Sequence, residues 1–396
     1  MAVVGVSIAV LAAGTFAISA FGVLAPKLAD AFALSRADIG FVTSVVFLGA
    51  ALGSAPAGRL TDRGHPARLL ALAMSAFAGS VLLFALAPDR AILFAAAALA
   101  GLAYGCVNPP TNVIVAGQLA RRLGFFLSLK QTGVPLGGLL AGAVLPPVAI
   151  AWGWRAAVGV AAVACALVAA ATLLLRNVAT IELGHRGRSL VAGRRQLVAL
   201  GGFGFVMAGS QWAFLTYLVL FLTQQFRFGL AAAGLALALA QGLGACARLL
   251  WGWLSDKTGN RLGVLLLMAA LQVVALELLA LFPGRTLAWP LVALAGVTIV
   301  GWNGAFYGYV AESAGPGNVG QVSGQMLVLI FAGSVVFPPM LGALVDAIDS
   351  WRPLWAICGG AVAAAALGLG LTIPRGSTAG PFAAAEMAAA GGEADA

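Results

Sequence analysis

Charge is scarce in this sequence. Asp, Glu, Lys and Arg make up only 9% of its 396 residues, against about 25% in an ordinary soluble domain. So few charges cannot cover a chain in which the AVILMFWYC set reaches 62%, so the solvent for most of its surface is lipid. A mean hydropathy of +1.02 agrees. Cysteine is scarcer still: Cys106, Cys165, Cys246 and Cys358 stand far apart inside apolar runs, with no CxxC pair. That spacing argues against a zinc site and a disulfide framework, and leaves small apolar side chains in helix packing. The two histidines, His65 and His185, fall in polar connections, so a metal centre or a Ser-His-Asp relay has little to draw on. The GxxxxGKS/T phosphate loop of an ATP-driven pump is missing. The chain therefore reads as no enzyme, with no cofactor and no metal.

What is present is a series of apolar runs. A bilayer core of about 30 Å needs about 20 such residues per helix. The sequence predicts twelve spans, at 3–25, 38–58, 68–87, 91–117, 125–149, 155–175, 197–222, 230–254, 262–282, 288–312, 321–345 and 353–373. With the N-terminus inside, thirteen of the 22 Lys and Arg gather on the cytoplasmic side, among them Arg59, Arg63, Arg68, Arg121, Arg122, Lys257 and Arg261. Lys27, Arg36, Arg90, Arg155, Arg227, Arg285 and Arg352 face the other way, while Lys130 and Arg248 fall within spans. This asymmetry predicts a multi-pass protein of the cell (inner) membrane with both termini in the cytoplasm. It also accounts for the net charge of +9 without nucleic acid, for which no aromatic-interleaved basic patch exists.

The longest polar stretch, 176–196, carries Arg176, Arg186, Arg188, Arg194 and Arg195 and divides the chain into six spans and six. The expected domains are a bundle over 1–175, this basic cytoplasmic linker, a second bundle over 197–373, and an Ala/Gly-rich disordered tail over 374–396. The halves resemble one another. Ala13-Gly14-Thr15 recurs as Ala208-Gly209-Ser210, and Gly101 and Asn108 recur as Gly296 and Asn303, all at an offset of 195. Trp154-Arg155 recurs as Trp351-Arg352 at 197. After the second span of each half, Gly58-Arg59-Leu60-Thr61-Asp62-Arg63 parallels Gly252-Trp253-Leu254-Ser255-Asp256-Lys257.

That last pair resembles the loop signature GxLxDRxGR of the major facilitator superfamily. The second copy continues to Arg261 as the pattern asks, whereas the first departs at Gly64-His65-Pro66. The resemblance covers residues 1–373 and implies an all-α membrane protein of two six-helix bundles about a pseudo-two-fold axis along the membrane normal. A carboxylate at the end of span 2 or span 8 can sit beside the positive N-terminal end of a neighbouring helix, with a flanking cation as partner. Gly58, Asp62, Arg63, Gly252, Asp256 and Lys257 are accordingly the expected gating residues, a latch that holds in one state and breaks in the other.

Polar side chains inside spans are costly and tend to face a cavity or a partner. Asn108 and Asn112 share a face of span 4 beside Pro109-Pro110, and Asn303 and Tyr307 repeat that spacing in span 10. Span 1 offers Thr15 and Ser19; span 7 offers Ser210, Gln211 and Tyr217. Spans 1, 4, 7 and 10 line the cavity in the family resembled, so these residues are expected to meet the substrate. Span 5, from Lys130 to Gly138, resembles the Gly-Pro-rich element of drug antiporters but is one residue short after Pro135. Arg248, four residues before Gly252, looks like the span-8 arginine of the monocarboxylate and oxalate–formate carriers, which contacts a substrate carboxylate. The acid of the monocarboxylate carriers four residues earlier is Gly244 here.

The expected function is thus a secondary transporter, acting as a monomer by alternating access, that moves a small organic anion held between Arg248 and Lys130. The runner-up is efflux of neutral or cationic drug-like molecules. Proton coupling has few acids available: Glu277, Glu312 and Asp30.

Overall fold

A computed structural model describes residues 2–62, 66–119, 126, 129–173, 194–281, 284–314 and 319–372, which form helices joined by short turns and contain no strand. Eleven of the helices are long and apolar enough to cross a membrane. One of these, Leu129–Thr172, runs for 44 residues, about twice the length that a bilayer core requires. It breaks at Gly153, where φ is 85°, a backbone conformation open to glycine because it has no Cβ. Among the described residues, spans 5 and 6 are therefore two membrane-length segments joined at one residue rather than by a loop, which brings the eleven helices to twelve segments of that length.

Span 1 is Ala2–Val23, followed by a short helix, Ala25–Phe32. Span 2 is Arg36–Asp62, span 3 Pro66–Ala85, and span 4 Arg90–Gly105 continued by Asn108–Leu119. Span 7 is Arg194–Gln225, span 8 Leu230–Thr258 and span 9 Arg261–Leu281. Span 10 starts as Arg285–Ala295, passes through a π-helical turn at Gly296–Val300 and resumes as Asn303–Ala314. Span 11 is Val319–Ile348 and span 12 Arg352–Thr372. The basic residues Arg176, Arg186 and Arg188 of the linker, the tail beyond 373, and Arg63 lie outside the described residues, as do the side chains of Asp62 and Glu312.

In lipid there is no hydrophobic drive between helices, so close packing needs small residues that let backbones touch. The internal repeat is written into that packing. A Cβ on Gly101 would lie 2.2 Å from the Val46 carbonyl oxygen, and one on Gly296 would lie 2.5 Å from the Ala240 carbonyl oxygen. Span 4 thus rides on span 2 as span 10 rides on span 8, with both partners shifted by nearly the same offset.

Contacts between the first six spans and the last six gather at the end that carries Arg36. There Gly40 lies against the Pro338 carbonyl, and Gly342 against that of Arg36. The Tyr217 hydroxyl lies between the same two oxygens, 2.6 Å from Pro338 and 2.8 Å from Arg36. Thr43 and Thr216 share a hydrogen bond of 3.0 Å, Ser44 donates to the Val335 carbonyl, and Phe47 packs on Trp212 at 4.3 Å between centroids. Spans 5 and 8 meet on the same side, with Gly142 against Gly234 and Gly138 against Gln241. At the opposite end Asn112, Gln131 and Asp256 are exposed. Among the described residues, the molecule is closed at the Arg36 face and open toward the Asp256 face.

Candidate functional site

Span 4 is interrupted where two prolines follow one another. Pro109 and Pro110 have no N–H, so the carbonyls one turn earlier lose their intrahelical donors. The chain turns at Cys106 and Val107 and starts again at Asn108. The restart presents Asn108, Thr111 and Asn112 to span 5, where Lys130 is fully buried. The Lys130 ammonium donates to Oγ1 of Thr111 at 3.2 Å, to Oδ1 of Asn108 at 3.4 Å, and to Oδ1 of Asn112. Thr111 passes its own hydrogen to the Val107 carbonyl at 2.9 Å, so its oxygen has lone pairs left to accept. Three donors meet three acceptors, all of them neutral.

Arg248 is set by a different device. The π turn of span 10 leaves carbonyls without their usual partners, and span 8 uses them. Arg248 Nε donates to the Val300 oxygen at 3.1 Å, and one turn on, Trp251 Nε1 donates to Val297 at 3.0 Å. Gly244 makes room for this: a Cβ there would lie 2.4 Å from Val300 Cβ. The other observed partner of Arg248 is the Gln131 carbonyl, 3.4 Å from Nη1 across the two halves. Among the described residues no carboxylate pairs with either cation. The guanidinium is near enough to the Tyr104 and Tyr307 hydroxyls to interact electrostatically with both.

The structure therefore separates the two cations that the sequence reading paired. Arg248 lies at the open interface, half-buried. Lys130 sits one layer back, behind Asn108 and Asn112, and does not reach the pathway itself. Thr15 is buried beside the Tyr104 hydroxyl, one residue from Gly14, whose missing Cβ admits the Tyr104 ring. Gln211 and Asn303 come together, with Gln211 Oε1 accepting from Asn303 Nδ2 at 3.4 Å and from Trp302 Nε1 at 2.9 Å. This ties span 7 to span 10. Tyr217 belongs to the closed face and lines no pathway in this state. Ser19 instead borders a cavity of about 20 Å³ with Thr43, Thr216 and Gln241, room for about one water.

At the open face Asp256 pairs with Arg261 of its own half at 2.9 Å, not with the other half. Lys257 covers the Trp253 ring at 4.7 Å, while Gly58 and Gly252 have open space around them. Glu277 packs over Gly359 of span 12, and Asp30 is exposed. Tyr104 is the residue that sequence reading missed. It stands four residues before Asn108, the spacing that had marked Asn108 and Asn112, and the signal was present in the sequence. The π turn left no such mark.

Known proteins can be set beside this geometry. A family model described as Major Facilitator Superfamily matches residues 6–338. The gentisate transporter of Corynebacterium glutamicum is 30% identical over 82% of this chain and 76% of its own length. Monocarboxylate transporter 11 of Mus musculus is 27% identical over 88% of this chain and 83% of its own. Among solved structures, a bacterial homolog of the human lysosomal transporter Spinster, in an inward-facing and occupied conformation, superposes with a TM-score of 0.76. It is 17% identical and covers 93% of this chain and 94% of its own.

Proposed function

Because this chain belongs to the major facilitator superfamily, and is thus a multi-pass membrane transporter of small molecules and not an enzyme, we propose that it moves a small organic anion by alternating access. An aromatic carboxylate is the foremost candidate. The observation that carries this reading is Arg248, a guanidinium at the open interface whose partners are two backbone carbonyls, 3.1 and 3.4 Å away. Neutral acceptors hold it in place without cancelling its charge. Arg can take a carboxylate through two parallel hydrogen bonds, and the phenol rings of Tyr104 and Tyr307 beside it suit a flat apolar body. A gentisate carrier and a monocarboxylate carrier among the relatives point the same way. Among the described residues no carboxylate offsets this charge, which disfavours a cationic drug and with it the efflux alternative.

The carrier is placed in the cell (inner) membrane with both termini in the cytoplasm, so the open Asp256 face looks inward. The positive-inside count supports this placement. The two bundles, 1–175 and 197–373, rock about the site between them, with Asp62 and Asp256 as latch residues.

The test is binding to purified protein. Benzoate, a short aliphatic carboxylate, a nucleoside and a quaternary ammonium compound are compared by thermal shift. Carboxylates are expected to stabilise the parent and to do nothing for Arg248→Ala. Stabilisation by the neutral or cationic compounds alone overturns the anion reading.

A further inference from the structure

A lysine ammonium has three donors and no acceptor. Whatever amide orientation is drawn, an asparagine that bonds to Lys130 must offer its oxygen. Asn108 and Asn112 both do so, which turns both Nδ2 groups away from Lys130. Asn112 is exposed at the open face and Asn108 is half-buried. Among the described residues neither amide nitrogen has a protein acceptor, so up to four N–H donors are left over. Asn108 and Asn112 stand four apart on the restarted part of span 4, and Arg248 reaches the carbonyl of Gln131, the neighbour of Lys130 in the chain.

We propose that Lys130 is a positioning residue which, by holding the side-chain oxygens of Asn108 and Asn112, turns their amide nitrogens into a donor-only subsite for a second oxygen acceptor on a carboxylate bound at Arg248. This rests on the organic-anion reading and narrows it to substrates with two oxygen-bearing groups, either a ring hydroxyl or a second carboxylate. Lys130 supplies no direct contact. Its charge polarises both amides, and its geometry prevents them from flipping to present oxygens, which would repel an anion.

The experiment measures Kd for benzoate, 3-hydroxybenzoate and isophthalate on the full chain in lipid nanodiscs. In the parent at least one of the two substituted ligands is expected to bind five- to tenfold tighter than benzoate, the yield of one or two added hydrogen bonds. Which one does so tells hydroxyl from carboxylate. Asn112→Leu, at an exposed position that folding tolerates, is expected to bring that ratio to about one. Lys130→Met is expected to do the same, and the double variant to add little, since both act on the same subsite. A merely structural Lys130 would lower the melting temperature and weaken all three ligands alike, leaving the ratio intact. A parental ratio of one, or a ratio that survives Asn112→Leu or Lys130→Met, overturns the proposal. Failure of the anion reading looks different: Arg248→Ala then binds benzoate at the parental Kd.

Discussion

Asp346 of span 11 accepts hydrogen bonds from the backbone N–H groups of Arg36 and Ala37, at 3.1 and 2.8 Å, and so caps the first turn of span 2 from the other half of the molecule. The first N–H groups of a helix have no partner within it, and they sit at the positive end of its dipole. A carboxylate there satisfies two of them at once. The Arg36 side chain adds an ion pair to Asp349 at 3.1 Å and a hydrogen bond to Gln224 at 3.2 Å. The closed face is therefore held by a cap that separates whole when the halves part.

Asp346→Ala is expected to loosen that face. Loss of a helix cap costs about 1 kcal/mol, which shifts the balance between closed and open states by about fivefold. With the native cysteines replaced and a single cysteine placed at Thr43, maleimide labelling from the Arg36 side should speed up accordingly. Unchanged labelling would show that the cap does not hold the face.

Arg248→Lys is expected to abolish transport, because a point charge cannot make the paired bonds of the guanidinium or reach Val300 through Nε. Lys130→Arg is expected to fail as well: Lys130 is fully buried against three acceptors, and a larger planar group overpacks the cradle. Both variants are checked by uptake into proteoliposomes, and normal uptake by Lys130→Arg would contradict the cradle.

Gly244→Ala is expected to cost about 1–3 kcal/mol in overpacking, since the added carbon would lie 2.4 Å from Val300 Cβ. Carboxylate binding should fall further than a matched core variant of equal melting temperature, as Val300 moves off Arg248. Equal loss in the two would mean that the π turn has no part in setting the guanidinium.

Asp256→Asn is expected to leave ligand binding and melting temperature nearly as they are, since an exposed pair with Arg261 stabilises by about 0–1 kcal/mol. Transport should slow if Asp256 latches the opposite state. Stopped-flow uptake at saturating substrate measures this, and a parental rate would reduce Asp256 to a turn residue.

A periplasm-dependent reporter fused at the C-terminus is expected to stay dark, and one inserted at 349–351 to light up. The reverse pattern would invert the faces assigned here.

Much of this protein could be read along the chain because the bilayer leaves few choices. Backbone groups in lipid must bond within their own segment, so apolar runs of sufficient length become helices, and their number and the repeat near 195 follow from residue order alone. Asn108, Asn112, Arg248 and Lys130 stood out for a similar reason, being expensive where they are. The direction of each side chain depended on tertiary structure. Lys130 turned out to face span 4 and not Arg248, because three oxygens there match its three donors. Gln211 and Asn303 spent their polarity on each other. The π turn that aims Arg248, and the cap that Asp346 places on span 2, join residues more than fifty and three hundred positions apart. Local propensity carries no information about such pairs; packing between helices decides them.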